Sequence, residues 1–226
     1  MPSPPPHPSY LHSLSGDFIN KTNVFRMVRE FARYSNIDRG YYMEFGIMNG
    51  ETAIQAYRQL RGIVTDVYGF DTFSGHPEHQ EVDKKHAEYS PYFYQGNYKS
   101  QGRQFAEQMI RAATMLPEQN LHLSEGKFSD TLPKFDVKQL DDKGFPVCVL
   151  VDCDIYSSAV DVFKFLTPLL KTGTWLLVDD WWCYRGDPKL GVRRAMDEWL
   201  ETNGRIGVTL YDNFNGFSRA YICHEK

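Results

Sequence analysis

The sequence predicts an α/β protein: a mostly parallel sheet with helices on both faces, closed by an antiparallel hairpin. Three observations carry this. Strand-like and helix-like stretches alternate about five times along the chain. The strand stretches are continuous apolar runs rather than alternating ones, which suits strands buried on both faces. The last two strand-like runs flank a turn containing Asn215-Gly216, a hairpin signal.

The elements follow in order. Residues 1–16 are rich in Pro, Ser and His and predict a flexible extended arm, with one domain over residues 17–226. From Asn20 to Tyr34, the residues Val24, Phe25, Val28, Phe31 and Ala32 recur at helical spacing, with Thr22 or Asn23 as the cap. A strand, Y-Y-M-E-F-G, runs into the turn I-M-N-G-E and a helix from Thr52 to Leu60. The run V-T-D-V-Y-G-F-D is a second strand ending at Asp71. Residues 75–100 are polar and aromatic, a length of loop that suits a lid. A helix from Phe105 to Leu116 leads to the short strand N-L-H-L-S-E-G. Then V-C-V-L-V-D ends at Asp152, a helix covers Ser158 to Leu170, and T-W-L-L-V-D-D ends at Asp179-Asp180. A helix from Leu190 to Glu201 precedes the hairpin.

Composition narrows the function. The 226 residues are 42% hydrophobic with a net charge of −4, enough for a sizeable core and without the basic footprint of a nucleic-acid binder. No apolar run approaches the roughly 20 residues that span a bilayer, and the first residues lack a secretory pattern. Cys148, Cys153, Cys183 and Cys223 form no C-x-x-C pair and read as free thiols of a reducing compartment, which points to a cytoplasmic protein.

In parallel α/β sheets, ligands sit at the carboxyl ends of the strands. Here those ends carry Glu44, Asp71, Asp152 and Asp179-Asp180, a crowd of like charges that calls for a cation, ligand donors or water. Gly46 and Gly50 place a glycine turn after the first strand, where a ligand can approach the backbone closely. It is not G-x-G-x-x-G, since Met48 stands where a middle glycine would be, and no Walker lysine follows. Asp71 can accept hydrogen bonds from both hydroxyls of a ribose. A nucleoside without a phosphate cradle fits this pattern, and S-adenosylmethionine is such a ligand.

The ordered series E-F-G-x-x-x-G, F-D-T-F-S-G-H-P, S-E-G-K-F-S-D-T-L-P, V-D-C-D-I-Y-S-S and V-D-D resembles the macrocin O-methyltransferase family over about residues 40–220. The resemblance implies a Rossmann-like class I methyltransferase fold with a seven-stranded sheet and a reversed final hairpin. It implies S-adenosylmethionine as methyl donor and a sugar hydroxyl on a natural product as acceptor. Glu44 and Gly46 would lie by the methionyl part, Asp71 on the ribose, and Ser124, Glu125 and Phe128 near the adenine. Asp152, Asp179 and Asp180 would hold Mg²⁺. Members vary in acceptor and quaternary state, so the acceptor and a homo-oligomer both stay open.

The residues themselves support a metal. Asp152 and Asp179 end two strands expected to be neighbours, about 4.8 Å apart, and Asp180 follows at once. Hard carboxylate oxygens suit Mg²⁺, and no Cys/His cluster suggests zinc. Asp154 is expected to face elsewhere or to serve the following turn, which makes it a weaker candidate. A divalent cation would acidify an acceptor hydroxyl, and Asp152 or His76 would take its proton. Trp181, Trp182, Tyr92, Phe93, Tyr94 and Tyr98 are either core or acceptor wall, while Arg193 and Arg194 read as surface. Competing readings are a metal-independent methyltransferase, a non-catalytic cofactor-binding protein, and a nicotinamide oxidoreductase, the last disfavoured by the missing glycine fingerprint.

Overall fold

The computed structural model describes residues 20–90 and 92–226. The arm expected at residues 1–16 lies outside them.

The helices are α1 (Lys21–Tyr34), α2 (Glu51–Leu60), α3 (Glu81–Ala87), α4 (Arg103–Thr114), α5 (Phe128–Thr131), α6 (Tyr156–Leu166) and α7 (Gly191–Thr202). The strands are β1 (Gly40–Phe45), β2 (Val64–Asp71), β3 (Leu121–Glu125), β4 (Phe145–Val151), β5 (Trp175–Val178), β6 (Ile206–Phe214) and β7 (Ser218–Glu225). They form one seven-stranded sheet in the order β3-β2-β1-β4-β5-β7-β6. Strands β1 to β5 are parallel, β7 runs antiparallel to β5, and β6 pairs antiparallel with β7. The chain winds outward from β1 to β3, then restarts at β4 on the other side. The crevice between β1 and β4 is therefore the topological switch point, where such sheets bind ligands.

Alternation along the buried strands assigns their faces. Tyr41, Met43 and Phe45 join Val149, Val151, Leu176 and Val178 in a core under α6 and α7. Tyr42 faces the other way with Cys148, Leu150, Trp175 and Leu177, under α1, α2 and α4. Glu44 shares that second face, as its period-2 spacing from Tyr42 requires. Between α6 and α7, Phe163 stacks on Trp199 with ring centres 5.3 Å apart, and the indole donates to Thr167 Oγ1 at 2.9 Å. Truncating Trp199 to alanine would cost about 3–5 kcal/mol.

Two local expectations change. The cap of α1 is Asn20, whose side chain accepts from the Asn23 amide, while Thr22 Oγ1 donates instead to Gln55 Oε1 on α2 at 2.7 Å. Within residues 75–100 the polar run contains α3, packed over the starts of two longer helices. Asp83 Oδ1 accepts from Ser157 N at 3.1 Å and His86 Nδ1 from Gly191 N at 3.2 Å. Both donors are orphan first-turn amides of α6 and α7. The polar residues of this segment thus satisfy distant helix ends, and Asp83 and His86 are buried. No helix among the described residues is long and apolar enough to cross a membrane. All four cysteines are free thiols.

Candidate active site

The backbone ladder continues past the strand ends and lines up their acids. Gly46 N donates to Phe70 O at 2.8 Å, Asp152 N to Phe45 O at 2.9 Å and Asp179 N to Val151 O at 2.9 Å. A cavity of about 570 Å³ opens over this edge, the size of a small-molecule site. Glu44, Gly46, Asp71, His76, Phe128, Asp152, Asp179 and Asp180 line it; Gly50, Ser124 and Glu125 do not.

Gly46 has φ +97°, and a Cβ there would stand 1.8 Å from the Asp152 carbonyl oxygen. Only glycine lets the β1 turn pass β4 this closely. Gly50 acts elsewhere, because its Cβ would meet Ile110 Cγ1 at 2.5 Å, so it seats α2 on α4. Glu44 is 1% exposed and accepts from Tyr42 OH at 2.9 Å. Burial, then the Asp152 charge, holds its carboxyl well above the usual range, and Lys21 and the Tyr42 bond oppose them. Asp71 accepts from Met48 N at 2.7 Å on one oxygen and from Phe73 N at 2.6 Å on the other. An ionised carboxylate offers about four acceptor positions, so two remain for a ligand. Burial raises its pKa and the two amides pull it back. Met48 and Phe73 both sit at positive φ, +50° and +54°, unusual for side chains of that size. Phe128 stands edge-on to Phe45 and lines the wall.

The acidic half is arranged differently from the expected triad. Lys21 Nζ, at the first turn of α1, reaches Asp152 Oδ2 at 2.6 Å and Asp179 Oδ2 at 2.7 Å. The other oxygen of Asp179 accepts from Asp180 N at 3.0 Å and from the Ser218 hydroxyl. Burial works against the Asp179 charge, but Lys21 and these donors outweigh it and hold the pKa low. The carboxylates that converge are Asp152, Asp154 and Asp180, with oxygens within 4.8 Å of one another. Asp154, which sits at φ +62° beyond the end of β4, is the unexpected member. Asp180 Oδ1 accepts from Cys183 Sγ at 3.1 Å, while its Oδ2 is buried without a hydrogen-bond partner. Burial and then the neighbouring charges hold Asp152 and Asp180 well above the usual range.

His76 lies beside this cluster, its Nε2 2.6 Å from Asp154 Oδ2. Burial lowers the His76 pKa, against the charges of Asp180 and Asp71. Burial pushes Asp154 up to about 7, with its contact to Asp180 opposing and the Asp152 charge adding. The pair thus joins a carboxyl raised by burial to an imidazole lowered by burial.

Of the aromatic candidates, Tyr98 lines the cavity, and Phe93 is buried against Tyr184 at 5.2 Å. Trp181 and Trp182 do not line it. Arg219 stacks over Trp182 at 4.5 Å and Arg193 over it at 5.3 Å, and Trp181 joins the core below α7. Arg194 pairs with Glu198 at 2.8 Å along its own helix. Sequence reasoning missed Lys21, Ser218 and the role of Asp154.

A family model described as macrocin O-methyltransferase matches residues 8–207. The chain belongs to the macrocin O-methyltransferase family. Membership makes it an S-adenosylmethionine-dependent O-methyltransferase. Solved structures with the same fold include the O-methyltransferase NovP, at TM-score 0.70 and 20% identity over 91% of this chain and 80% of that one. The calicheamicin methyltransferase CalS11 follows at TM-score 0.67 and 21% identity, over 97% and 86%. TomG from Streptomyces achromogenes, an O-methyltransferase solved with its methyl donor, superposes at TM-score 0.56 and 15% identity over 96% and 85%. No curated protein matches the chain. The macrocin O-methyltransferase fold accounts for the sheet order and for the cavity at its switch point.

Proposed function

We propose that this protein moves the methyl group of S-adenosylmethionine to a hydroxyl of a sugar or other small natural-product acceptor, assisted by Mg²⁺. The observation that carries the reading is the convergence of Asp152, Asp154 and Asp180 within 4.8 Å at one end of the cavity. All three offer hard oxygen donors, and buried Asp180 Oδ2 has no partner. Lys21 offsets only part of the charge crowded here, and a divalent cation that prefers oxygen would relieve the remaining repulsion among the three carboxylates. Asp152 and Asp180 belong to the set read from the sequence; Asp154 takes the place of Asp179, whose oxygens already hold Lys21, Ser218 and a backbone amide.

When bound, Mg²⁺ supplies a lowered pKa for the acceptor hydroxyl and fixes its oxygen. The chain does the rest. Glu44 receives the ammonium of the methionyl part, the free acceptor positions of Asp71 hold the ribose hydroxyls, and Phe128 packs on the adenine. Gly46 lets the donor lie against the backbone. The segment carrying His76 and Tyr98 covers the cavity and excludes water, so that transfer depends on proximity and in-line alignment. The Asp154–His76 pair would take up the acceptor proton in addition to the one already between Oδ2 and Nε2, passing from carboxylate and neutral imidazole to carboxylate and imidazolium. Asp152, the first candidate base from the sequence, has one oxygen committed to Lys21.

Steady-state methyl transfer tests the base. Asp154→Asn should lower kcat by about 10²–10⁴-fold with S-adenosylhomocysteine affinity unchanged. Unchanged turnover in that variant would sink the assignment. A metal-independent reading draws on Lys21, whose ammonium already neutralises two of the aspartates; chelation separates the two.

A further inference from the structure

Two elements build the end of the cavity farther along the sheet toward β3. Gly126 N donates to Asp71 O at 2.9 Å, which extends the β2–β3 ladder and brings Lys127, Phe128 and Ser129 up beside the carboxylate assigned to the ribose. The helix α6 lines the same cavity with Ser157, Ser158 and Asp161. Asp161 stands four and three positions beyond the two serines, so the three share one face of the helix. The short helix α5, which begins at Phe128, packs on α6. Burial raises the Asp161 pKa, Lys164 opposes, and the charge of Asp130 on α5 adds, which puts the carboxylate on the α5 side. Asp161 is half-buried and makes no hydrogen bond or ion pair among the described residues.

An adenine joined to a ribose at Asp71 presents its amino group on the ring edge remote from the sugar. Phe128 offers that base a face but no acceptor for the amino protons. Ser124 and Glu125, expected near the adenine, do not line the cavity, so a polar partner for the base comes from another element. We propose that Asp161 accepts a hydrogen bond from the 6-amino group of the adenine and makes the donor site selective for an aminopurine. The inference rests on the placement of the adenine against Phe128 given above. A bond to a carboxylate is charge-assisted, stronger than one to a neutral oxygen, and it exists only where the purine carries a donor at this position. The role belongs to α6, the helix that follows the acids of V-D-C-D, so one segment would serve the acceptor at its start and the base one turn later.

The test is calorimetric titration of the full chain with S-adenosylhomocysteine and with its 6-deamino analogue, in which hydrogen replaces the amino group of the purine. Wild type should prefer S-adenosylhomocysteine by about tenfold or more. Asp161→Ala should bind it about tenfold more weakly while binding the analogue within about twofold of wild type, so that the preference collapses. Asp161→Asn, which keeps an acceptor oxygen without the charge, should fall between. Thermal melts of each variant show that it is folded. Equal weakening of both ligands in Asp161→Ala overturns the inference, because the carboxylate would then serve the helix and not the base. Unchanged affinity for S-adenosylhomocysteine in that variant overturns it as well. Phe128→Ala tests the premise separately: it should weaken both ligands alike, by about threefold or more. If it leaves both within about twofold of wild type, the adenine lies elsewhere, and its placement falls together with the inference.

Discussion

Replacing Asp71 by asparagine tests the cofactor half at a single atom. In the native turn, both carboxylate oxygens accept backbone amides, Met48 N at 2.7 Å and Phe73 N at 2.6 Å. These bonds hold two residues at positive φ. An amide side chain accepts only at its oxygen, so one of the two N–H groups meets an NH₂ instead. One charge-assisted bond is lost, worth about 1.5–3 kcal/mol, and one part-buried donor loses its partner, for a combined cost of about 2–4 kcal/mol. At roughly 2–4 °C per kcal/mol for a chain of this size, the melting temperature should fall by about 4–16 °C. On the ribose reading, one hydroxyl also loses its charged acceptor, and S-adenosylhomocysteine should bind about 10- to 100-fold more weakly. Differential scanning calorimetry gives the first quantity and titration calorimetry the second. A variant that melts within about 1 °C of wild type and binds within about twofold would refute the account of this turn.

Gly46→Ala places a Cβ at φ +97° and 1.8 Å from the Asp152 carbonyl oxygen. The left-handed backbone alone costs about 1–2 kcal/mol, so melting should drop by at least roughly 2 °C, with S-adenosylhomocysteine binding lost as β1 and β4 separate. The segment carrying α3 should loosen in acid. His86 Nδ1 accepts the Gly191 amide only when neutral, and burial keeps its pKa below the ordinary value, against Asp83 and Asp187 and with Arg194. The undocked segment therefore takes a proton first, and docking weakens as pH falls through about 6.5. Hydrogen exchange in residues 81–87, corrected for intrinsic rate, should rise relative to β4 as the solution is acidified; constant protection would contradict it. His86→Phe should show the higher exchange at every pH, because the Gly191 amide then has no acceptor.

Where sequence and structure agree, local rules are sufficient. The apolar run V-Y-G-F of β2 ends at Asp71, where the strand leaves the sheet and the carboxylate reaches the cavity. The adjacency of Asp152 and Asp179 follows from the same logic and is seen in the β4–β5 ladder. The helix α3 is not legible, because its decisive residues answer to partners 74 and 105 positions away, Ser157 and Gly191. Lys21 is illegible for a related reason. A lysine on the first turn of an amphipathic helix reads as solvent-facing until the docking of α1 on α2 brings it over the strand ends. Asp154 escapes the sequence reading because strand periodicity stops at Val151, and beyond it a positive φ, not the pleat, directs the chain. The tryptophans after Asp180 serve the core and two stacked arginines, a packing role that composition could not separate from an acceptor wall.

The most direct test of the account is transfer of labelled methyl from S-adenosylmethionine to a panel of glycosides and hydroxylated small molecules, with and without EDTA. The account predicts an O-methyl product whose formation stops with chelation and returns when Mg²⁺ is added in excess. Transfer that continues undiminished in EDTA, or a product methylated on nitrogen, would contradict it.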